Sequence, residues 1–377
     1  MKNYPAINSI LFQGSEANTS KTIENIFIEA ENKIGINQVL IFDNLDLSDK
    51  SQNNCLKVLH TKLEMSLDPE EKSKISFIGM SNCILDEAKM NRTIFLASPN
   101  ILLDDICLII EAIAKSFDDK LFKKYERKYR SLGNIFFFYK EKLKSLKDEF
   151  IMNFHGNRDL YYIIKIFSSI MLKYNKPDDP NIIDKAFKKS LARNLNGLEI
   201  NGESRLKQNI KDINFDDLSI MDLIKDNFIS KDNRFLLLIS EKSMFNFLMD
   251  IIGKEIEQMN NNYVTYIGSP FKGDKINTSY QAEMILNLER NVAEGKIIIL
   301  IDLDQIYSIF YDLFNQNYIN KDGKKFYHIY YGSNIQKLSL VNENTKIIIL
   351  VDKNNLRKQK LEFLNRFEKY NITYDNI

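Results

Sequence analysis

Carboxylates and arginines recur along this chain at spacings that suit chemistry on a phosphate. In QVLIFDNLD (38–46) a short apolar run ends in Asp43, and in KIIILIDLD (296–304) another ends in Asp302 and Asp304. An acid at the carboxyl end of a buried parallel strand lies in the crevice where α/β sheets bind ligands. There it can hold Mg2+ directly or through water, although an aspartate in that place can also serve only as a helix cap. Each acid-ended strand is followed by a second apolar strand with a polar end, Asn82 in KISFIGMSN and Asp352 in KIIILVDK. Then comes Asn-Arg, in KMNR (89–92) and in FLNR (363–366). An acid for the metal, a polar group to orient water and a cation for the γ-phosphate form a working set for phosphoryl transfer. Arg92 and Arg366 suit the last task because the guanidinium fork binds phosphate oxygens bidentately. The competing role for both is a surface cation at a helix end.

Such residues need a sheet to hold them in register. Residues 21–33 carry Ile23, Ile26, Phe27 and Ala30 at helical spacing, 38–46 reads as a buried strand, 55–64 as a helix and 74–82 as a second buried strand. From about 99 to 200 long helical patterns dominate, with Leu160, Ile163, Ile164, Phe167 and Ile170 on one side of 156–174. Only IFFFY (135–139) looks strand-like there. Residues 201–231 are polar with weak periodicity, as in a linker. Strand patterns return at 234–240, 263–269, 296–304 and 346–353, separated by helical stretches, with 361–370 as a final helical turn. The expected organisation is an α/β core over 1–98, a helical lid over 99–200, a linker over 201–231 and a second α/β core over 232–377, each core a parallel sheet with crossover helices.

Composition excludes several alternatives. With 377 residues, 44% hydrophobic and 27% charged, the chain is globular and long enough for two domains. Lys plus Arg is 52 against 51 for Asp plus Glu, so no overall field draws in nucleic acid. The Lys/Phe/Tyr-rich stretch 120–147 has acids interleaved and reads as an amphipathic helix. Cys55, Cys83 and Cys107 form no CxxC, and His60, His155 and His328 lie far apart, which argues against a disulfide framework or a zinc centre. The strongest apolar runs, 297–301 and 347–351, fall far short of the ~20 residues that span a bilayer. A soluble, cytoplasmic chain is expected.

The order acid strand, polar-ended strand, arginine is that of AAA+ ATPases. Within it, VLIFDNLDLSDKSQNNCLKVLHTKLE and FIGMSNCILDEAKMNR closely resemble the third AAA+ unit of the mysterin family, giant AAA+ ubiquitin ligases with a RING finger (the ring finger protein 213 family). ILFQGSEANTSKTIENIF (10–27) resembles the segment ahead of that unit's acid strand. HGNRDLYYIIK (155–165) and ARNLNG (192–197) resemble its helical lid and exit. GSPFKGD (268–274), GKIIILIDLDQIYSIFYDLFNQ (295–316) and FLNRFEKY (363–370) resemble the fourth unit. The resemblance implies a P-loop-NTPase-like fold in two incomplete tandem modules, with ATP and Mg2+ as cofactors. It assigns Asp43 to the metal, Asn82 to the first sensor, Arg92 to the inter-module arginine and Arg158 to the second sensor, reaching from the lid to the nucleotide. It places Lys242 and Ser243 on a degenerate phosphate loop, Asp302 and Asp304 in the strand-acid region and Arg366 at the second arginine.

The departures are chemical. Asn44 stands where the family's third unit has the glutamate that activates water, and an amide cannot accept that proton as a carboxylate does. No GxxxxGK[ST] occurs in the sequence, Lys242-Ser243 lacks the preceding glycines, and no RING-type Cys/His cluster is present. The third unit's phosphate loop is expected upstream of Met1, and the chain is expected to be the middle of a larger protein: a truncated product, a split gene or a remnant. The expected function is a partial AAA+ core that couples ATP binding and hydrolysis to conformational change in ubiquitin transfer. Its partners would be the missing AAA+ or ligase modules and the ubiquitin machinery. The alternatives are a non-catalytic AAA+-shaped scaffold, or a dynein-like motor fragment, which shares a linear chain of modules but not the KVLH…KMNR signature.

Overall fold

The computed structural model describes residues 6–15, 18–32, 37–51, 53–65, 75–97, 101–175, 178–200, 203–211, 213–230, 233–259, 261–271, 273–274, 278–331 and 335–377. Two compact units divide the chain: residues 1–99 with the short pieces 308–310 and 328–338, and the remainder from residue 100 onward.

In the first unit β1 (Ile7–Gln13), β2 (Asn37–Asp43) and β3 (Ile75–Gly79) form a parallel sheet in the order β1-β2-β3. The crossover from β1 to β2 is α1 (Ser20–Glu31), started by Thr19, whose side chain accepts from the Thr22 N–H. Its Ile23, Phe27 and Ala30 recur at helical spacing and pack with Phe12, Leu40, Phe42 and Leu59. Phe12 meets Phe42 edge to face at 4.6 Å. Between β2 and β3 run α2 (Leu45–Asp49) and α3 (Val58–Met65), and α4 (Glu87–Met90) follows β3 behind an Asp86 cap.

The second unit opens with α5 (Leu103–Phe117), α6 (Asp119–Lys144), α7 (Glu149–Asn153), α8 (Asn157–Lys173) and α9 (Pro180–Asn194). Leu160, Ile163, Ile164 and Phe167 of α8 are all buried, as the 3.6-residue pattern demands. The strand-like IFFFY lies inside α6. Phe136 and Tyr139 are buried three residues apart, while Phe138 is exposed, which is a helical alternation that a short apolar run conceals. In the stretch read as linker, residues 220–229 form a helix, α10 (Ile220–Ile229).

The α/β core of this unit holds β4 (Leu236–Ser240), α11 (Phe245–Gln258), β5 (Tyr263–Ile267), α12 (Thr278–Glu294) and β6 (Ile297–Ile301). After α13 (Tyr311–Asn315) comes a three-stranded sheet of β7 (Ile319–Lys321), β8 (Lys324–Tyr331) and β9 (Ile335–Val341), β7 and β8 pairing antiparallel, which the sequence patterns do not announce; its residues 328–338 are those grouped with the first unit. Then follow β10 (Lys346–Asp352), α14 (Leu361–Leu364) and β11 (Glu368–Asn371). The parallel sheet has the order β11-β4-β10-β6-β5. β4 and β6 are buried at every position, which is why LLLIS and IIILI are continuous apolar runs without alternation. The 361–370 segment is therefore one helical turn followed by an edge strand.

Candidate functional site

In the first unit the register Phe42↔Gly79 sets the ends of β2 and β3 side by side. Asp43 ends β2, half-buried, and its Oδ1 accepts from the Asn44 N–H at 2.9 Å. Asn44 takes a left-handed φ of 52°, which turns the chain into α2. The Leu45 N–H then donates to the Met80 carbonyl at 3.0 Å, and the Asn82 N–H donates to Asp46 Oδ1 at 3.4 Å. Asp43 and Asn82 thus share the carboxyl rim of the sheet. Arg92 follows α4, but its guanidinium bonds the Ala88 carbonyl and Glu64 within its own unit.

The same frame recurs in the second core and fixes an internal equivalence. The Gly14 N–H donates to the Asp43 carbonyl at 2.8 Å, and the Gly268 N–H donates to the Ile301 carbonyl at 2.8 Å. Both glycines pass close to the turn after the acid strand. A Cβ on Gly14 would lie 2.3 Å from the Asn44 carbonyl oxygen, and one on Gly268 would lie 1.9 Å from that of Asp302. Asn44 and Asp302 share the left-handed turn, with φ of 52° and 54°. The pairs Gln13↔Asp43 and Ile267↔Ile301 place Ile301, not Asp302, where the first unit has Asp43. Asp302 corresponds to Asn44, and the pairing of β10 with β6 makes Asp352 the counterpart of Asn82. A one-residue register difference is invisible in an apolar run that ends in acid, yet in a strand it moves the side chain to the other face.

A Gly268→Ala substitution should cost about 1–3 kcal/mol, the usual range for overpacking against backbone. Gly273→Ala, with nothing within 4 Å of the added Cβ, should be neutral. Urea midpoints of the two variants check this, and equal midpoints would remove the close-approach argument.

Where a phosphate-cradling loop would join strand to helix, the second core has a short turn. β4 ends at Ser240, residues Lys242–Met244 form a single tight turn, and α11 begins at Phe245. Lys242 is 63% exposed and its Nζ sits 2.6 Å from Asp302 Oδ2. That hydrogen bond raises the Lys242 pKa, and the charges of Asp302 and Asp352 add to the shift. Ser243 is exposed beside it. Asp304 is exposed and accepts from Gln359 Nε2 at 2.8 Å, while Asp352 Oδ1 accepts from the Asn354 N–H of its own turn at 3.1 Å. Arg366 is only 5% exposed, its guanidinium 3.8 Å from the centre of the Tyr311 ring, so it does not face outward as expected. Arg158, at the start of α8, is exposed and donates to Asn315 Oδ1 of the second core.

Among the described residues no cluster of three or more His, Cys, Asp or Glu could hold a metal ion. In the first unit Asp43 is the carboxylate at the end of β2. In the second core Ile301 occupies the corresponding place and a lysine neutralises the neighbouring acid, so those residues do not fit a metal–triphosphate.

One family model, described as RNF213 AAA domain, matches residues 1–105, and a second with the same description matches residues 225–377. The chain is an AAA+ region of the RNF213 family. It is 26% identical over 351 residues to E3 ubiquitin-protein ligase rnf213-beta of Danio rerio, covering 89% of this chain and 7% of that protein. It is 25% identical over 370 residues to E3 ubiquitin-protein ligase RNF213 of Homo sapiens, covering 90% of this chain and 6% of that protein. The chain thus spans a small part of the length of these curated relatives. The five-stranded parallel sheet is consistent with the AAA+ fold. Among the described residues no helix is long and apolar enough to cross a membrane.

In this RNF213-family region the side chains that sequence reasoning missed join the helical segment to the second core. Arg193 of α9 donates through Nε and Nη2 to both oxygens of Glu368 on β11, each at 2.8 Å. Glu368 also accepts from Asn227 Nδ2 at 2.8 Å and from the Tyr370 hydroxyl at 2.6 Å. Arg234, just ahead of β4, donates to Asp159 Oδ1 of α8 at 2.8 Å and to Asn194 Oδ1 at 2.7 Å, and Lys369 Nζ lies 3.4 Å from the same Asp159 oxygen. All five charged groups are buried. Burial alone would raise the Asp159 carboxyl, but Lys369 and Arg234 outweigh it and hold its pKa at about 2. Burial pushes Lys369 down to about 8 against the pull of Asp159. A usable sequence signal existed: Asp159 sits at a buried position of an apolar helix face, where an unpaired acid is not tolerated.

Proposed function

We propose that this chain is a conformation-transmitting segment in the AAA+ core of an RNF213-like ubiquitin ligase. In this reading the first unit contributes Asp43 and Asn82 to an ATP–Mg2+ site whose phosphate loop comes from another segment of polypeptide. The second core is an AAA+-shaped scaffold that does not hydrolyse ATP. Movement at the first site would reach the ubiquitin-transfer machinery through adjoining modules.

The observation that carries the scaffold reading is the Lys242–Asp302 ion pair across a shortened strand-to-helix turn. Backbone N–H groups of a glycine-rich loop normally surround the phosphates, and here there is too little loop to do so. The lysine's charge is satisfied by protein, and the adjacent strand ends in Ile301 instead of an acid. Asn44 supports slow turnover at the first site as well, because an amide is no general base. The shared rim of Asp43 and Asn82 favours retained nucleotide contact there. The matches to RNF213 AAA domains favour this family context over the dynein-like one.

Titrating the chain with mant-ATP and Mg2+ tests the proposal. The expected result is that Lys242→Ala binds as the unmodified chain does, with no saturable component lost. A saturable signal that disappears in Lys242→Ala would show a working site in the second core and sink the scaffold reading.

A further inference from the structure

A cavity of about 610 Å³ opens in the second unit along α8, away from the strand-end crevice. Its wall is rich in hydrogen-bond donors and poor in acids. Tyr162 and Lys165 of α8 line it together with Lys325 of β8, and the Lys165 Nζ lies 4.8 Å from the centre of the Tyr162 ring. The Lys325 Nζ lies 6.0 Å from the ring of Tyr318, another lining residue. Among the described residues neither lysine is ion-paired with a carboxylate, whereas Lys189 pairs with Asp226, Arg193 with Glu368 and Arg234 with Asp159. Arg158 lies one helical turn before Tyr162 on the same face of α8 and is tied to Asn315, which lines the cavity.

Asn233 adds a second observation. It lines the cavity, is only 5% exposed, and its side-chain amide nitrogen has no hydrogen-bond acceptor among the described residues. A buried donor left unmade costs about 1–3 kcal/mol, so such a group usually has a partner. Glu343 is the one carboxylate among the lining residues. Two lysines without a carboxylate partner among the described residues, a third cation at the rim and an unsatisfied amide donor outweigh that single acid. The rings of Tyr162 and Tyr318 lie under the two ammonium groups, a contact that positions the cations without cancelling their charge.

We infer that this cavity binds a small, multiply charged phosphate compound, held by Lys165 and Lys325, with Arg158 and Asn315 at the rim. The site is separate from the nucleotide reading above and does not depend on it. Phosphate is preferred to a lone carboxylate because several donors of fixed positive charge converge on one volume, which suits an anion with more than two oxygens to share.

Isothermal titration of the whole chain with inorganic pyrophosphate tests the proposal, with citrate as a parallel arm. The expected result is saturable pyrophosphate binding that is tighter than citrate binding. It should weaken at least tenfold in Lys165→Ala/Lys325→Ala and stay unchanged in Lys242→Ala. Both lysines are exposed, so thermal melting of the double variant without ligand should match the unmodified chain. Should it not, Lys325→Gln alone replaces it and should weaken binding at least threefold. No saturable heat, equal or tighter citrate binding, full affinity in the lysine variants, or loss in Lys242→Ala would each overturn the assignment.

Discussion

An Arg193→Met variant should lose about 3–5 kcal/mol of stability in the second unit, the range for removing one partner of a buried ion pair. The cost does not come from the bridge being strong. Glu368 is 1% exposed, and without Arg193 its carboxylate keeps only the neutral donors Asn227 and Tyr370. A charge buried among neutral partners is what destabilises the protein. Replacing both members, Arg193→Met with Glu368→Leu, should therefore recover a good part of the loss, although the Tyr370 hydroxyl and the Asn227 amide are then left short of a partner. Urea unfolding followed by far-UV circular dichroism gives the free energies, and hydrogen exchange across 366–372 reports where protection is lost. A single variant that costs under about 1 kcal/mol, or a double variant whose cost is the plain sum of the two singles, would mean the pair is not a coupled clasp.

That clasp also marks where the sequence is legible and where it is not. The runs LLLIS, IIILI and KIIILV announce buried parallel strands because their side chains are buried on both faces of the sheet. α8 is equally plain, since its apolar residues repeat with the helical period. FEKY is the opposite case. Its Glu368, Lys369 and Tyr370, with the following Asn371, are all buried on an edge strand, which no hydrophobicity pattern suggests. The strand is stable because Arg193 and Asp159, each more than 170 residues away in sequence from its partner on β11, supply the counter-charges. Long-range compensation of this kind has no local signature.

The candidate site divides in the same way. Asp43, Asn82 and the two Asn-Arg pairs could be placed from their order along the chain, and the structure sets Asp43 and Asn82 on a common rim. The register of the second acid strand could not be placed so. Whether Ile301 or Asp302 corresponds in position to Asp43 depends on which carbonyl the Gly268 N–H finds, a matter of a single residue. Arg366 was recognisable as an arginine after a one-turn helix. Its burial against Tyr311 depends on a residue fifty-five positions earlier, and so its direction was not.

His155 makes the second unit sensitive to acid in a window that can be derived. The side chain is fully buried, with Nδ1 2.9 Å from the Tyr139 hydroxyl and Nε2 3.0 Å from the Asn196 carbonyl. A carbonyl can only accept, so Nε2 carries the proton and Nδ1 accepts from Tyr139. The neutral ring is thus satisfied on both sides, and a second proton would leave the tyrosine hydroxyl without its acceptor. Burial, reinforced by the charge of Lys369, pushes the pKa down to about 3. The unfolded chain, titrating near 6.5, binds more protons than the folded one between those values, so stability is complete above pH 6.5 and falls as the pH drops toward 3. The slope attributable to this one group approaches about 1.4 kcal/mol per pH unit in the middle of the window. Asp159 acts in the same direction but only below its ordinary value of 3.8, so the first loss on acidification belongs to His155. Urea midpoints at pH 7, 5.5 and 4.5 should decline for the unmodified chain and decline less steeply for His155→Gln, which cannot take up the proton. The glutamine variant is expected to be less stable at pH 7, since it cannot reproduce both ring hydrogen bonds. It is the difference in slope, not in level, that carries the argument, and parallel lines would assign the acid sensitivity to other groups.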